Sequence, residues 1–176
     1  MDNNFTPLYD FLINSGLSEL WASYARSAIL IILLFLIAGI LHFVGQGIFL
    51  RLVNQLTKKS KTSYDDIFLE NKVFKKISYI IPALAIYAFD DLVLAHLGTV
   101  KDIILGATNV YVIAITSSII NAVLKSTQQV LQPKEMFKDK PLTSYRQVIT
   151  ILNYGIALIL IVSIVIGKSP MYLFSA

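Results

Sequence analysis

The sequence contains no cysteine. A disulfide framework, a thiolate metal site and a cysteine nucleophile are therefore excluded, and the redox compartment is left unread. Charge is scarce as well: 15% of the 176 residues are charged and 56% are hydrophobic, with a mean hydropathy of +0.68. That is too apolar for an ordinary soluble domain of this length. The opening "MDNNFTPLYDF" lacks the basic stretch that precedes the apolar core of a signal peptide, so the first hydrophobic helix is expected to be retained. No lipidation signal, nucleotide-binding glycine loop, paired-histidine metal motif or nucleophile elbow is present. The apolar runs also lack the chain of ionisable residues that proton-coupled transport uses. An enzyme is not expected, and nothing implies a cofactor, a metal, a nucleic acid or a small-molecule substrate.

What the sequence does have is apolar runs. "SAILIILLFLIAGILHFVGQGIFL" carries no formal charge over more than the roughly 20 residues that cross a hydrocarbon layer. It predicts a span from about Ser27 to Leu50, with Arg26 and Arg51 reaching the two headgroup layers. A second run, Ile77 to Phe89, has 13 residues, about 20 Å of helix against a hydrocarbon thickness of about 30 Å. It comes close to spanning if Val73 and Phe74 are added, Lys75 and Lys76 snorkel, and Asp90 and Asp91 sit at the far interface. Ile103 to Leu124 and Val148 to Ile166 give a third and a fourth span. The expected fold is all-α: an integral membrane bundle of four transmembrane helices plus interfacial helices. Residues 1–26 form an outer interfacial segment, 27–166 the spanning region and 167–176 the start of a further helix. Between the second and third spans, "DDLVLAHLGTVK" fits either a short surface helix or a tilted extension of a neighbour.

The loops set a direction, because cytoplasmic loops hold the excess of Lys and Arg. Arg51, Lys58, Lys59, Lys61, Lys72, Lys75 and Lys76 fall in one connection, and Lys125, Lys134, Lys138, Lys140 and Arg146 in another. Together they are twelve of the fifteen basic residues. Arg26, Lys101 and Lys168 are left for the other side, with Asp2, Asp10, Glu19, Asp90, Asp91 and Asp102. Both termini are thus expected outside the cytoplasm. At the end, Ser169 is a good helix cap and Pro170 a favoured first helical residue, so a helix begins there and is expected to continue into a further crossing.

The connections carry their own patterns. Phe5, Leu8, Tyr9, Leu12, Leu17, Leu20, Trp21 and Tyr24 recur at helical spacing and fit an outer amphipathic segment, with Trp21 at headgroup depth; a frayed tail is the alternative. Ser63 and Asp66 form a capping box ahead of Tyr64, Ile67, Phe68 and Phe74. The lysines around it either attract anionic lipid, at about 1 kcal/mol each, or only set topology. Pro133 and Pro141 limit helix length in the second basic connection.

Few polar groups fall within the spans. His42 is expected to face a neighbouring helix and hydrogen-bond there rather than to act in transport. Asp90 and Asp91 read as interface anchors, since adjacent helical residues point about 100° apart and do not easily share one site. Gly39, Gly45 and Gly47 in the first span, and Thr116, Ser117, Ser118 and Asn121 in the third, suit close helix packing and interhelical hydrogen bonds. Pro82 is positioned to kink the second span.

Taken together, "SYDDIFLENKVFKKISYIIPALAIY", "KPLTSYRQVITILNYGIALILIVSIVIGKSPMYLFSA" and the odd number of crossings resemble the membrane region of MscS-like small-conductance mechanosensitive channels, especially the five-span YbdG-type branch. The resemblance covers the second half and the Asp65 to Tyr87 stretch, and the N-terminal third by pattern. It implies an oligomeric pore in the inner (cytoplasmic) membrane, typically sevenfold, opened by bilayer tension during osmotic stress. It also implies a glycine- and alanine-rich pore helix followed by a cytoplasmic domain, both beyond Ala176. The present residues then correspond to the lipid-facing, tension-sensing helices of a truncated channel, with Ser169 and Pro170 at the pore-helix start and Tyr64 where Trp is common. The alternative expectation is a complete four-span scaffold or accessory subunit; a small transporter relying on His42 or the Asp90 and Asp91 pair comes third.

Overall fold

The computed structural model of the chain describes residues 6–59, 64–95 and 97–175. Within them the fold is all-α. Helix α1 (Thr6–Asn14) ends in a turn through Gly16, whose φ of 93° is open to glycine without steric cost. The turn folds α1 back so that Leu8 packs against the main core cluster. The chain then enters α2 (Glu19–Lys59), 41 residues and about 60 Å long. Trp21 and Tyr24, in edge-to-face contact at 6.5 Å, lie in its first turns. The expected boundary at residue 26 therefore falls inside one continuous helix. No glycine or proline interrupts residues 17–38, and Glu19 suits the positive end of the helix dipole. Arg26 and Arg51, expected at the ends of a shorter helix, both sit within this long one.

The second crossing is built from pieces. Helix α3 (Tyr64–Glu70) passes through Lys72, in the left-handed region at φ 58°, into α4 (Val73–Ser78). Helix α4 stops because Pro82 has no N–H to give the Ser78 carbonyl and its ring would overlap that carbonyl. Tyr79 and Ile80 form a tight turn instead, their N–H groups bonding Lys76 O and Ile77 O, each at 3.1 Å. Pro82 then sits at the start of α5 (Ile81–Phe89), where a missing N–H costs nothing. The expected kink is a full break. Beyond α5, Asp90–Leu94 wind as a single π turn. The ambiguous acidic stretch is thus an extension of the second crossing, and its Val93 and Leu94 enter the core with Leu30, Leu34 and Ala38 of α2 and Ala85 and Ile86 of α5. Leu34 and Leu94 are completely enclosed.

Helices α6 (Thr99–Leu131) and α7 (Leu142–Ile166) complete the bundle. Pro133 and Pro141 bracket their connection, which holds one short 3₁₀ turn, Glu135–Phe137. Gly167, at φ 69°, closes α7. The Ser169 hydroxyl accepts a 3.4 Å bond from Tyr172 N, capping the short α8 (Pro170–Phe174) as its residue types lead one to expect. The Ser63 end of the expected capping box and Lys61 lie outside the described residues, as do the side chains of Lys58 and Lys59.

Among the described residues, four segments are long and apolar enough to cross a bilayer: Glu19–Gln55, Val73–Leu94, Thr99–Leu131 and Leu142–Ile166. The chain is a multi-pass membrane protein. Its spans pack sparsely, with between 11% and 33% of each apolar stretch buried. Phe43 and Ile151, at 77% and 70% exposure, show what faces outward. Such a surface would aggregate in water; lipid tails solvate it.

Candidate functional site

The break in the second crossing is where polar and small residues of three helices meet. Helices α2 and α5 approach closely at Gly45, where a Cβ would come within 2.9 Å of Ile81 Cδ1 and 3.3 Å of its Cγ2. Gly39 and Gly47 do not share that role, because no atom lies within 4 Å of the position a Cβ would take. His42, one turn before Gly45, lays its ring 5.4 Å from that of Tyr79 and 5.5 Å from that of Phe43. The interhelical hydrogen bond expected of it is missing at Nδ1, which is buried without a partner among the described residues.

Helix α6 supplies what the broken backbone lacks. The Tyr111 hydroxyl donates to Tyr79 O at 2.8 Å, inside the turn that Pro82 forces. A neighbouring helix thus satisfies a carbonyl exposed by a proline break, as low-dielectric lipid requires. Above it, the Tyr87 hydroxyl donates to Asn109 Oδ1 at 2.6 Å, and below it Lys76 Nζ donates to Ser118 O at 3.2 Å. The Lys76 ammonium thus has a partner on a neighbouring helix. Because α4 begins at Val73, Lys76 lies against α6 and takes a main-chain carbonyl there. Beside the break is an open groove of about 520 Å³, lined by Gly39 and His42 of α2, Pro82 and Ala83 of α5, and Ala107 and Tyr111 of α6.

A second polar cluster joins α6 to α7. The two N–H bonds of the Asn153 amide are shared among Ser117 O at 3.0 Å, Ser117 Oγ at 2.9 Å and Asn121 Oδ1 at 3.1 Å. Ser117 and Asn121 make the interhelical bonds expected of them, whereas Thr116 is exposed and Ser118 serves through its carbonyl. Their partner Asn153 is not among the residues expected from the sequence; a lone amide in "ILNYGIALILIV" is the signal that could have found it. Nearer the lysine-rich end, Gln128 donates to Thr143 Oγ1 at 2.7 Å and accepts from Arg146 Nε at 2.6 Å.

No family model, curated protein or solved structure matches this chain. Function has to be read from the geometry and the sequence.

At the end of the bundle opposite the lysine-rich connections, Lys101 Nζ lies 2.8 Å from Asp91 Oδ1 and 3.6 Å from Asp90 Oδ2. The two carboxylates do share a site, contrary to the expectation from α-helical spacing, because one long ammonium side chain on α6 reaches both. With the Asp91 side chain 90% exposed, the pair is worth little in stability. At the lysine-rich end, Lys134 Nζ stands 5.3 Å over the Tyr64 ring, and Asn71 of the α3–α4 turn hydrogen-bonds Gln129 of α6. These contacts hold α3 against the end of α6, while Lys72 and Lys75 remain exposed. Arg26 keeps one guanidinium nitrogen buried without a partner among the described residues. Among those residues, no three His, Asp or Glu side chains gather as a metal site would need.

Proposed function

We propose that this four-helix unit senses bilayer tension as the transmembrane portion of an MscS-like mechanosensitive channel, in the cytoplasmic membrane of a cell under osmotic stress. Both ends face away from the cytoplasm, and the lysine-rich connections face it. In this reading the unit works as part of a homo-oligomer, sevenfold by resemblance, with membrane lipids as its immediate partners. The observation that carries the reading is the sparse packing of four lipid-solvated spans, one of them a broken crossing beside an open groove. Tension favours whichever state occupies more membrane area, and only a difference in area between two states shifts the balance. A tightly packed bundle has no second arrangement of similar energy; one with a broken strut beside an open groove has room for one. The transport reading is weaker, since the Asp90 and Asp91 carboxylates are occupied by Lys101 at the bundle's edge.

The test uses the whole chain in liposomes, with one cysteine placed at Ile103, an exposed residue lining the groove, carrying a polarity-sensitive fluorophore. Hypoosmotic swelling is expected to shift its emission reversibly, and relief of tension to restore it. An emission that stays constant up to the lysis of the vesicles would remove the proposal.

A further inference from the structure

The packing gathers the bundle into two bodies, which also touch where Ile104 and Leu105 of α6 pack against the core cluster. One is the core cluster that binds α2 to α5 and the π turn through Leu34, Ala38, Ile86 and Leu94. The other is the α6–α7 pair, fastened by Asn153 to Ser117 and Asn121. The groove of about 520 Å³ lies between them, with α2 and α5 on one side and α6 on the other. The second crossing belongs to both bodies: its α5 half is built into the first, and its α4 half packs on both α2 and α6, tied to α6 by Lys76 and Ser118 O.

We infer that the second crossing is a jointed strut that pivots at Tyr79–Ile80, and that the Tyr111 hydroxyl is the catch holding the joint in the position seen. Three features place the pivot. Pro82 has removed the helical bond to Ser78 O that would stiffen it, leaving a turn with 3₁₀-type bonds from Tyr79 N and Ile80 N. Gly45 seats Ile81 close against α2, so that α5 stays with α2 and the joint moves that body relative to α6. The groove between α2, α5 and α6 leaves this face of the joint without close protein packing. The catch follows from placement, because Tyr111 reaches across from the other body and bonds the main chain of the turn itself. Tyr87 to Asn109 and Lys101 to Asp90 and Asp91 cross the same gap farther along, so they act as further ties between the two bodies. Pivoting at the end of a rigid element is the hinge mode of conformational change. The joint is a property of the fold and does not depend on tension being the signal that moves it.

Amide hydrogen exchange on the whole chain in lipid nanodiscs, without tension, tests it. In the unmodified protein, the amides of Ile80, Ile81 and Ala83 are expected to exchange about tenfold faster than those of residues 108–114 of α6, which lie at the same depth. Tyr111→Phe keeps the ring and loses only the hydroxyl; it is expected to speed exchange at the joint a further fivefold or so, the factor for one net hydrogen bond, while α7 is unchanged. Equal protection of the joint and α6 in the unmodified chain would overturn the inference even if the variant failed to fold. A folded Tyr111→Phe protein with unaltered exchange at the joint would overturn the role of the catch.

Discussion

Truncating Leu34 to alanine is expected to lower the stability of the folded bundle by about 1–3 kcal/mol, while the same truncation at Leu33 costs less than about 0.5 kcal/mol. The two residues are neighbours in α2 and chemically identical, but Leu34 is fully enclosed against α5 and the π turn, whereas Leu33 is 45% exposed. In water both would forfeit the transfer free energy of the lost methyl and methylene groups. In a bilayer the unfolded helices remain in hydrocarbon, so that contribution nearly cancels. What remains for Leu34 is the cavity penalty, the dispersion attraction forfeited by neighbouring side chains that cannot close over the gap. At Leu33 a lipid chain fills the space. Reversible unfolding in mixed micelles, followed for both variants against the parent, gives the comparison. Equal costs at the two positions would mean that the α2–α5 core is not packed as described.

The second large effect is expected at Asn153, where leucine should destabilise the bundle by about 1–2 kcal/mol and loosen α6 from α7. The substitution keeps side-chain volume, so packing alone would leave stability almost unchanged. The loss arises because Ser117 Oγ and Asn121 Oδ1 are deprived of their shared donor within an apolar interface. The Asn121 amide nitrogen and the Thr150 hydroxyl are buried without partners among the described residues, so they are idle donors whose rearrangement would recover part of the loss and hold it to this modest range. The same unfolding assay, with limited proteolysis of the Pro133–Pro141 connection, reads both stability and loosening. A neutral Asn153→Leu variant would reduce the seam to ordinary apolar packing.

Much of the architecture is legible in the residues. Uncharged runs of spanning length locate α2, α6 and α7, since in lipid a backbone must satisfy its own hydrogen bonds and a helix is the simplest way to do so. Their ends are not legible: α2 and α6 extend past the charged residues expected to stop them, because Arg26, Arg51 and Lys125 are good helix formers and mark the edge of an apolar run rather than the end of a helix. From its residues the second crossing is a marginal span with a kink. Proline chemistry could have given the break at Ser78, but the π turn and the burial of Val93 and Leu94 depend on contacts with α2 that no local pattern carries. The same applies to the polar contacts. Ser117 and Asn121 declare themselves by type, whereas Lys76 with Ser118 O, Tyr111 with Tyr79 O, and Lys101 with two aspartates are meetings between helices whose register is settled only by packing. Gly45, rather than Gly39 or Gly47, carries the close approach for the same reason.

Because the chain has no cysteine, single introduced cysteines are clean reporters of the crossing pattern on which everything else rests. Lys59→Cys, Lys138→Cys and Thr99→Cys, probed with a membrane-impermeant maleimide before and after permeabilisation, are the direct measurement. Lys59 and Lys138 are expected to be protected in intact cells and labelled together after permeabilisation, with Thr99 labelled from outside throughout. Labelling of Lys59 and Lys138 from opposite faces would contradict the four-crossing account.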